Sequence, residues 1–391
     1  MDGNGDAMPA TLVRVTDVLP LIAARAADVE NERHIPAEIL DDLRRTGALR
    51  MLSPGRHGGG DEPLPTVLQV VELVSSADAS VGWTVAQHAQ AQLILRHFPA
   101  ATVDRVFSGS PDLLAAGAVA PKGRATRVAD GWQINGQWPF VSGAPQATWF
   151  FVQCLEVKDG SPVLDSDDLP VLRLALLAAE QLEIVDTWST MGLRGTASHD
   201  VRVNRAECGD AYTCHFASTP PGDEPILRIP ARDLGGLFVA AVAVGNAAAA
   251  LDDTIALALA GKRPAFSPHP LGKSPGFVQR LGEAEVRLRS ARALLSEQAS
   301  CVWESALAGV PLGLRDRAAL RSAGPHVVES ATAVLDAAYA LGGGTSLYER
   351  SPLQRRLRDG HTITQHFAAG PDVFGALGAV LVGADPGTAL R

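Results

Sequence analysis

Residues 131–149 read GWQINGQWPFVSGAPQATW, and the rest of the chain is organised around this stretch. Trp132 and Ile134 alternate with polar neighbours, and Asn135-Gly136 is a strong short signal for a hairpin turn. The returning strand carries Trp138 and Phe140, breaks at Ser142-Gly143, and leads into an apolar strand from Thr148 to Leu155. A hydroxyl and a bare backbone just after two aromatics suit a flat, partly polar ring. Trp138 and Phe140 would supply a wall, Ser142 a donor and an acceptor, and Gly143 room for close approach. A tight β-corner with core aromatics fits the same residues, and the stretch alone does not choose.

Working outward, the chain changes character twice. Residues 1–10 read as an unstructured start. Thr11 to Asn31 has helical periodicity, and Pro36 opens a helix that Gly47 stops. After a Gly-rich loop at 53–60, helices are expected from Leu64 to Ser76 and beyond Asp78-Ala79-Ser80, the latter carrying Trp83 and His88. Short strands then follow: 113–119, the hairpin, 171–177, 184–188 and 201–203. They suggest a small β-barrel or sandwich. Beyond Arg232 long helices return near 233–261, 275–309, 313–341 and 352–369. The expected organisation is a helical domain over 1–112, a β domain over 113–222 and a helical bundle over 223–391, an α+β chain.

A length of 391 residues calls for more than one packed unit. The formal net charge of −9, without a Lys/Arg block, argues against nucleic acid as a partner. Cys154, Cys208, Cys214 and Cys301 have neither metal-ligand nor framework spacing. They read as reduced thiols of a cytoplasmic protein, and no signal peptide is seen. Leu234 to Leu251 is long enough to span a membrane, but its Ala and Gly content and Asn246 mark it as a buried or interface helix. The histidine spacings imply no metal site.

The order helix, sheet, bundle resembles the acyl-CoA dehydrogenase fold, and several stretches match it. These are Leu43 to Gly59, Ser80-Val81-Gly82-Trp83, the Trp138…Ser142-Gly143 segment, Met191-Gly192-Leu193-Arg194-Gly195-Thr196-Ala197-Ser198, and Gly342-Gly343-Gly344 followed by Arg358-Asp359. The resemblance covers nearly the whole chain. In this fold the ring is a flavin. The resemblance implies that Trp138, Ser142, Gly143, Arg194, Gly195, Thr196 and Ser198 contact it, with Arg194 reaching a flavin phosphate or pairing with Asp200.

Dehydrogenases of this fold commonly place a catalytic Glu shortly after the Arg-Asp pair. That register falls here on His366-Phe367-Ala368, with Phe367 in the Glu position. The stretch Arg358 to His366 instead resembles two-component flavin-dependent monooxygenases, such as those acting on p-hydroxyphenylacetate, a seco-steroid phenol and dibenzothiophene. The resemblance implies that reduced flavin (FMNH2 or FADH2) meets O2 and forms a C4a-hydroperoxide, which oxidises an aromatic or polycyclic molecule. His366 would act in hydroperoxide formation as a group titrating near neutrality, and Ser142 would contact flavin N5. His88 is a third catalytic candidate, placed either to take a substrate proton or to satisfy an interior contact. Trp83, His88 and Phe367 would line the substrate. His361, five residues before His366 on an expected helix, points elsewhere and belongs at the surface or an interface.

No dinucleotide fingerprint occurs, which suits a separate NAD(P)H:flavin reductase. The small-residue helix suits subunit packing, so a homotetramer is expected, with a dimer as the alternative. Two competing readings stand beside this one. A dehydrogenase or oxidase of the same fold would hold FAD tightly and purify yellow; a non-catalytic subunit would have no use for Trp138, Ser142 and His366 together.

Overall fold

The structure, a computed structural model, describes residues 8–215, 220 and 222–390. The expected unstructured start therefore lies mostly outside the described residues. Six helices come first: α1 (Ala10–Thr16), α2 (Leu19–Glu32), α3 (Ala37–Thr46), α4 (Leu64–Ala77), α5 (Ala79–Leu95) and α6 (Ala100–Phe107). The periodicity over 11–31 is split because Pro20 starts a new helix in its first turn. Asp78 separates α4 from α5 and caps the latter, its carboxylate accepting the Val81 N–H at 3.0 Å.

Eight strands follow: β1 (Ala115–Val128), β2 (Gly131–Val141), β3 (Trp149–Lys158), β4 (Ser161–Pro162), β5 (Leu172–Ala178), β6 (Glu183–Val185), β7 (His199–Cys208) and β8 (Thr213–Cys214). They form one sheet ordered β6-β7-β2-β1-β3-β5-β8, with β4 paired to β3. The hairpin is not where the Asn-Gly pair placed it. β2 runs straight through Asn135-Gly136, and the turn lies at Ala129-Asp130, where Val128 pairs with Gly131. Opposite Asn135-Gly136 the ladder to β7 slips instead, and Arg205 adopts φ 54° in the bulge. Gly136 is required for another reason: a side chain there, or at Gly123 on β1, would strike the Trp138 indole.

The bundle comprises α7 (Ala231–Leu259), α8 (Pro275–Ala308), α9 (Leu314–Gly342), α10 (Pro352–Ile363) and α11 (Asp372–Leu381). α7 is long and apolar enough to cross a membrane, but most of that stretch is buried within the protein. α10 stops at Ile363, so His366 lies beyond the helix rather than on it.

The apolar residues fall into cores that explain how these parts hold together. The largest runs from Val15 through α4, α5 and α7 to Ile363, so the first helices and the bundle share one interior. A second lies inside the sheet, where inward residues of β1, β2, β3, β5 and β7 meet around Trp138. On the other face of the strands, Phe151, Leu174 and Leu176 pack against the end of α5 and against α6. α5 therefore touches both the helical core and the sheet, which brings Trp83 to the end of β2.

Trp138 is 0% exposed and its indole N–H donates to the Gln153 carbonyl at 2.8 Å. It is a core residue of the sheet. Trp138→Ala should cost about 3–5 kcal/mol of stability, as large aromatic deletions do. Thermal unfolding checks this: a variant as stable as the wild type would place the indole outside the core.

Candidate active site

Strand β2 ends in a bulge. Pro139 has no N–H for the ladder, and the pairing slips between Trp138 and Val141 while Phe140 takes φ 64°. The slip turns Phe140 out of the sheet, where it is 71% exposed, and its ring meets Trp188 edge-on at 6.2 Å. Of the two aromatics expected as a wall, Trp138 is buried in the sheet and Phe140, with Trp188 against it, faces outward. Burial of Trp138 in the sheet excludes it from contact with a bound ring.

Ser142, half-buried, stands directly after this bulge. Its Oγ accepts the Trp83 indole N–H at 3.0 Å and lies 2.8 Å from Ser198 Oγ. Ser198 Oγ is 2.7 Å from Thr196 Oγ1, and Thr196 donates to the Leu193 carbonyl at 2.8 Å. Gly143 N–H donates to the Thr196 carbonyl at 2.8 Å, which fixes β2 against the 193–198 turn. Gly143 has φ +72°, and a side chain added there would meet only the Thr84 methyl group, at 3.6 Å.

The 193–198 turn is held from three sides. Leu193 and Ala197 both have left-handed backbone conformations, φ 49° and 44°. The Leu193 N–H donates to the buried Asp359 carboxyl of α10 at 2.6 Å, and the Leu193 carbonyl also accepts the Trp188 indole N–H at 2.9 Å. Arg358 donates to the Met191 carbonyl and pairs with Glu30 of α2. Burial, with the like charge of Asp78 next in weight, pushes the Asp359 carboxyl up to about 7. Arg194 does not reach Asp200; it donates to the carbonyls of Glu30 and Thr190. Gly195 packs against Val29, where a side chain would not fit.

His366 joins the cluster from the turn after α10. Its ring meets Trp83 edge-on at 5.2 Å and Phe367 at 4.5 Å. Nδ1 accepts the Ala368 N–H at 3.2 Å, so the neutral ring carries its proton on Nε2. Nε2 makes no hydrogen bond to a described residue. Burial, unopposed by a carboxylate, pushes the imidazole down to about 4. The expectation of a group titrating near neutrality is corrected: His366 is a neutral donor at pH 7. Phe367 stands exposed beside it.

His88 is not part of this cluster. It is buried, its Nδ1 accepts the Ala115 N–H at 3.3 Å, and its Nε2 donates to the Leu49 carbonyl at 3.1 Å. Burial lowers it to about 4 as well. His361 pairs with Asp336 at the surface. The structure therefore gathers Ser142, Gly143, Thr196, Ser198, Trp83, His366 and Phe367. It leaves out Trp138 and His88 and turns Arg194 toward α2. Trp188 and Asp359 were not foreseen, and Pro139 within the strand marks the bulge that exposes Phe140, one of the two expected aromatics. Among the described residues no group of acids, histidines and cysteines is arranged to hold a metal.

A half-buried hydroxyl beside Gly143, and the exposed Phe140 with Trp188 against it, suit a flat ring with one polar edge. Residues 237–371 match the family described as acyl-CoA dehydrogenase, C-terminal domain. The chain is 33% identical to indole-3-acetate monooxygenase of Pseudomonas putida, over 98% of this chain and 95% of that protein. It superimposes on XiaF from Streptomyces sp., solved with FADH2 and glycerol, at TM-score 0.89 and 25% identity, covering 97% and 96% of the two chains. It does so equally on the 3-HSA hydroxylase of Rhodococcus sp. RHA1, at TM-score 0.89 and 26% identity over 96% and 97%.

Two pH responses follow. His88 and His366 bind protons more readily unfolded than folded, so stability is full above about pH 6.5 and is lost as the pH falls toward 4. His88→Gln should flatten that acid limb in urea titrations at several pH values. Asp359 has the opposite sign: its contribution is full below its unfolded value and is lost as the pH rises through about 7. Asp359→Asn keeps an acceptor for Leu193 and should remove the alkaline loss. Asp359→Ala should cost about 1–3 kcal/mol at any pH, by stranding a buried N–H.

The chain belongs to the flavin-dependent monooxygenases of the acyl-CoA dehydrogenase fold, as an oxygenase component that uses reduced flavin and O2.

Proposed function

We propose that this oxygenase acts on a flat, electron-rich aromatic molecule of the indole-3-acetate kind, using Ser142 and His366 as its catalytic pair. The reading rests on one observation: Ser142 and His366 flank the same Trp83 indole, and the His366 Nε2–H is free to donate. Reduced flavin supplies the electrons that activate O2. Phe140, Trp188, Ser142, Gly143 and the 193–198 turn would hold it. Ser142 would contact the ring edge, and His366 would donate a hydrogen bond without bringing a charge. Trp83 and Phe367 give the substrate apolar walls and keep water from the reacting atoms.

The placement of His88 favours an indole over a phenol. A phenol is activated by losing its proton, and His88, facing Leu49 and Ala115, cannot take it. An indole ring is electron-rich without ionising. The relative from Pseudomonas putida carries the name of such a substrate.

We further assign the protein a separate NAD(P)H:flavin reductase as partner, with FMN or FAD as the carrier between them. The free thiols suit a cytoplasmic setting. A homotetramer would cover apolar side chains that a lone chain leaves in water: Phe266, Val278, Val286 and Leu307 are all exposed.

Turnover with reduced flavin, oxygen and indole-3-acetate tests the reading. Wild type should couple flavin oxidation to an oxygenated product. His366→Ala and Ser142→Ala should lower product per flavin by roughly ten- to a hundredfold, at the low end of what positioned proton-handling groups contribute, with hydrogen peroxide rising to match. Equal coupling in all three proteins would remove the pair from the chemistry.

A further inference from the structure

The hydroxyl chain at the end of β2 has only one consistent direction. A carbonyl oxygen can only accept, so the Thr196 hydroxyl proton, 2.8 Å from the Leu193 carbonyl, is committed to it. Thr196 Oγ1 then has no proton to offer Ser198, so at 2.7 Å Ser198 must donate to Thr196. Ser198 in turn has no proton left for Ser142, so at 2.8 Å Ser142 donates to Ser198. From the opposite side the Trp83 indole, a donor only, gives its N–H to Ser142 at 3.0 Å.

Ser142 has therefore spent its proton and filled one lone pair. What it has left to offer is a single remaining acceptor site. The direction cannot relax easily, because its terminus is fixed: Leu193 sits in a left-handed conformation, its N–H is bound by Asp359, and its carbonyl also accepts from Trp188. Thr196 and Ser198 are both buried, so water does not compete for their protons.

We propose that Trp83, Ser198 and Thr196 are positioning residues that lock Ser142 as a hydrogen-bond acceptor, so that the site selects reduced over oxidised flavin. The inference rests on the flavin reading above, with Ser142 at the ring's N5 edge. Reduced flavin carries a proton on N5 and can donate there. Oxidised flavin has only a lone pair on N5 and would face the Ser142 lone pair. One hydroxyl chain thus admits the cofactor in the form that reacts with O2 and disfavours it once it is spent.

The test compares dissociation constants for FMN in its two redox states, with anaerobic reduction for one arm and ultrafiltration for both. Wild type should bind reduced FMN more tightly. Ser198→Ala frees the Ser142 proton to turn toward N5, so the preference should narrow by roughly tenfold, the weight of one hydrogen bond, chiefly through tighter binding of oxidised FMN. Thr196→Val releases the chain one step earlier and should narrow it likewise, whereas Thr196→Ser keeps the hydroxyl and should keep the preference. A merely structural role for these residues would weaken both redox forms together and leave the ratio unchanged. An unchanged ratio in both Ser198→Ala and Thr196→Val would overturn the proposal. A wild type that binds neither form would overturn the flavin reading itself, a result distinct from a preserved ratio.

Discussion

The hydrogen bond from the Leu193 N–H to the Asp359 carboxyl is the contact on which the site depends. Leu193 is not glycine, and a left-handed backbone there is strained unless something holds it. Asp359 holds it from the interior, where a carboxyl with no acceptor role would be costly. The strained peptide then offers its carbonyl to Thr196 and Trp188 together, tying the hydroxyl chain of Ser142 and the indole beside Phe140 to one acceptor. A helix of the bundle thus sets the geometry at the end of a strand.

The second acid completes the arrangement. Asp78 caps the helix that carries Trp83, and its charge is felt at Asp359. The two carboxyls organise the two halves of the site, one placing the indole that donates to Ser142 and the other the turn that takes its proton. Neither touches a substrate. Burial raises both above the ordinary carboxylate range.

Much of this was legible in the sequence, for identifiable reasons. Helix starts at Pro36 and Asp78, the buried α7 stretch and the strand near 171–177 follow from local signals that tertiary packing did not oppose. The order of elements and the motifs spread across the chain carried the fold and the cofactor. Ser142 was singled out as the hydroxyl that follows two aromatics, and His366 through resemblance. The Asn135-Gly136 hairpin was misplaced because the same dipeptide also serves where an indole needs room, and only the packing of Trp138 distinguishes the two. Regular alternation makes Trp138 and Phe140 equivalent, yet the Pro139 bulge buries one and exposes the other. His88 lies on the helix expected of it, but a single sequence does not tell which way a buried imidazole points. Asp359 was quoted as part of a motif without a role, since its partner is 166 residues away in the chain.

The shared helical core has a consequence for how the protein comes into being. Val15, Val74 and Val85 belong to the same core as Val242, Leu335 and Ile363, so the earliest helices to leave the ribosome wait for some of the last to complete it. The strands between them have a core of their own and can close first. Synthesis therefore passes through a stage in which a finished sheet trails an exposed apolar helical surface. The 193–198 turn then exists without the aspartate that holds it. The turn gains that aspartate only when α10 docks.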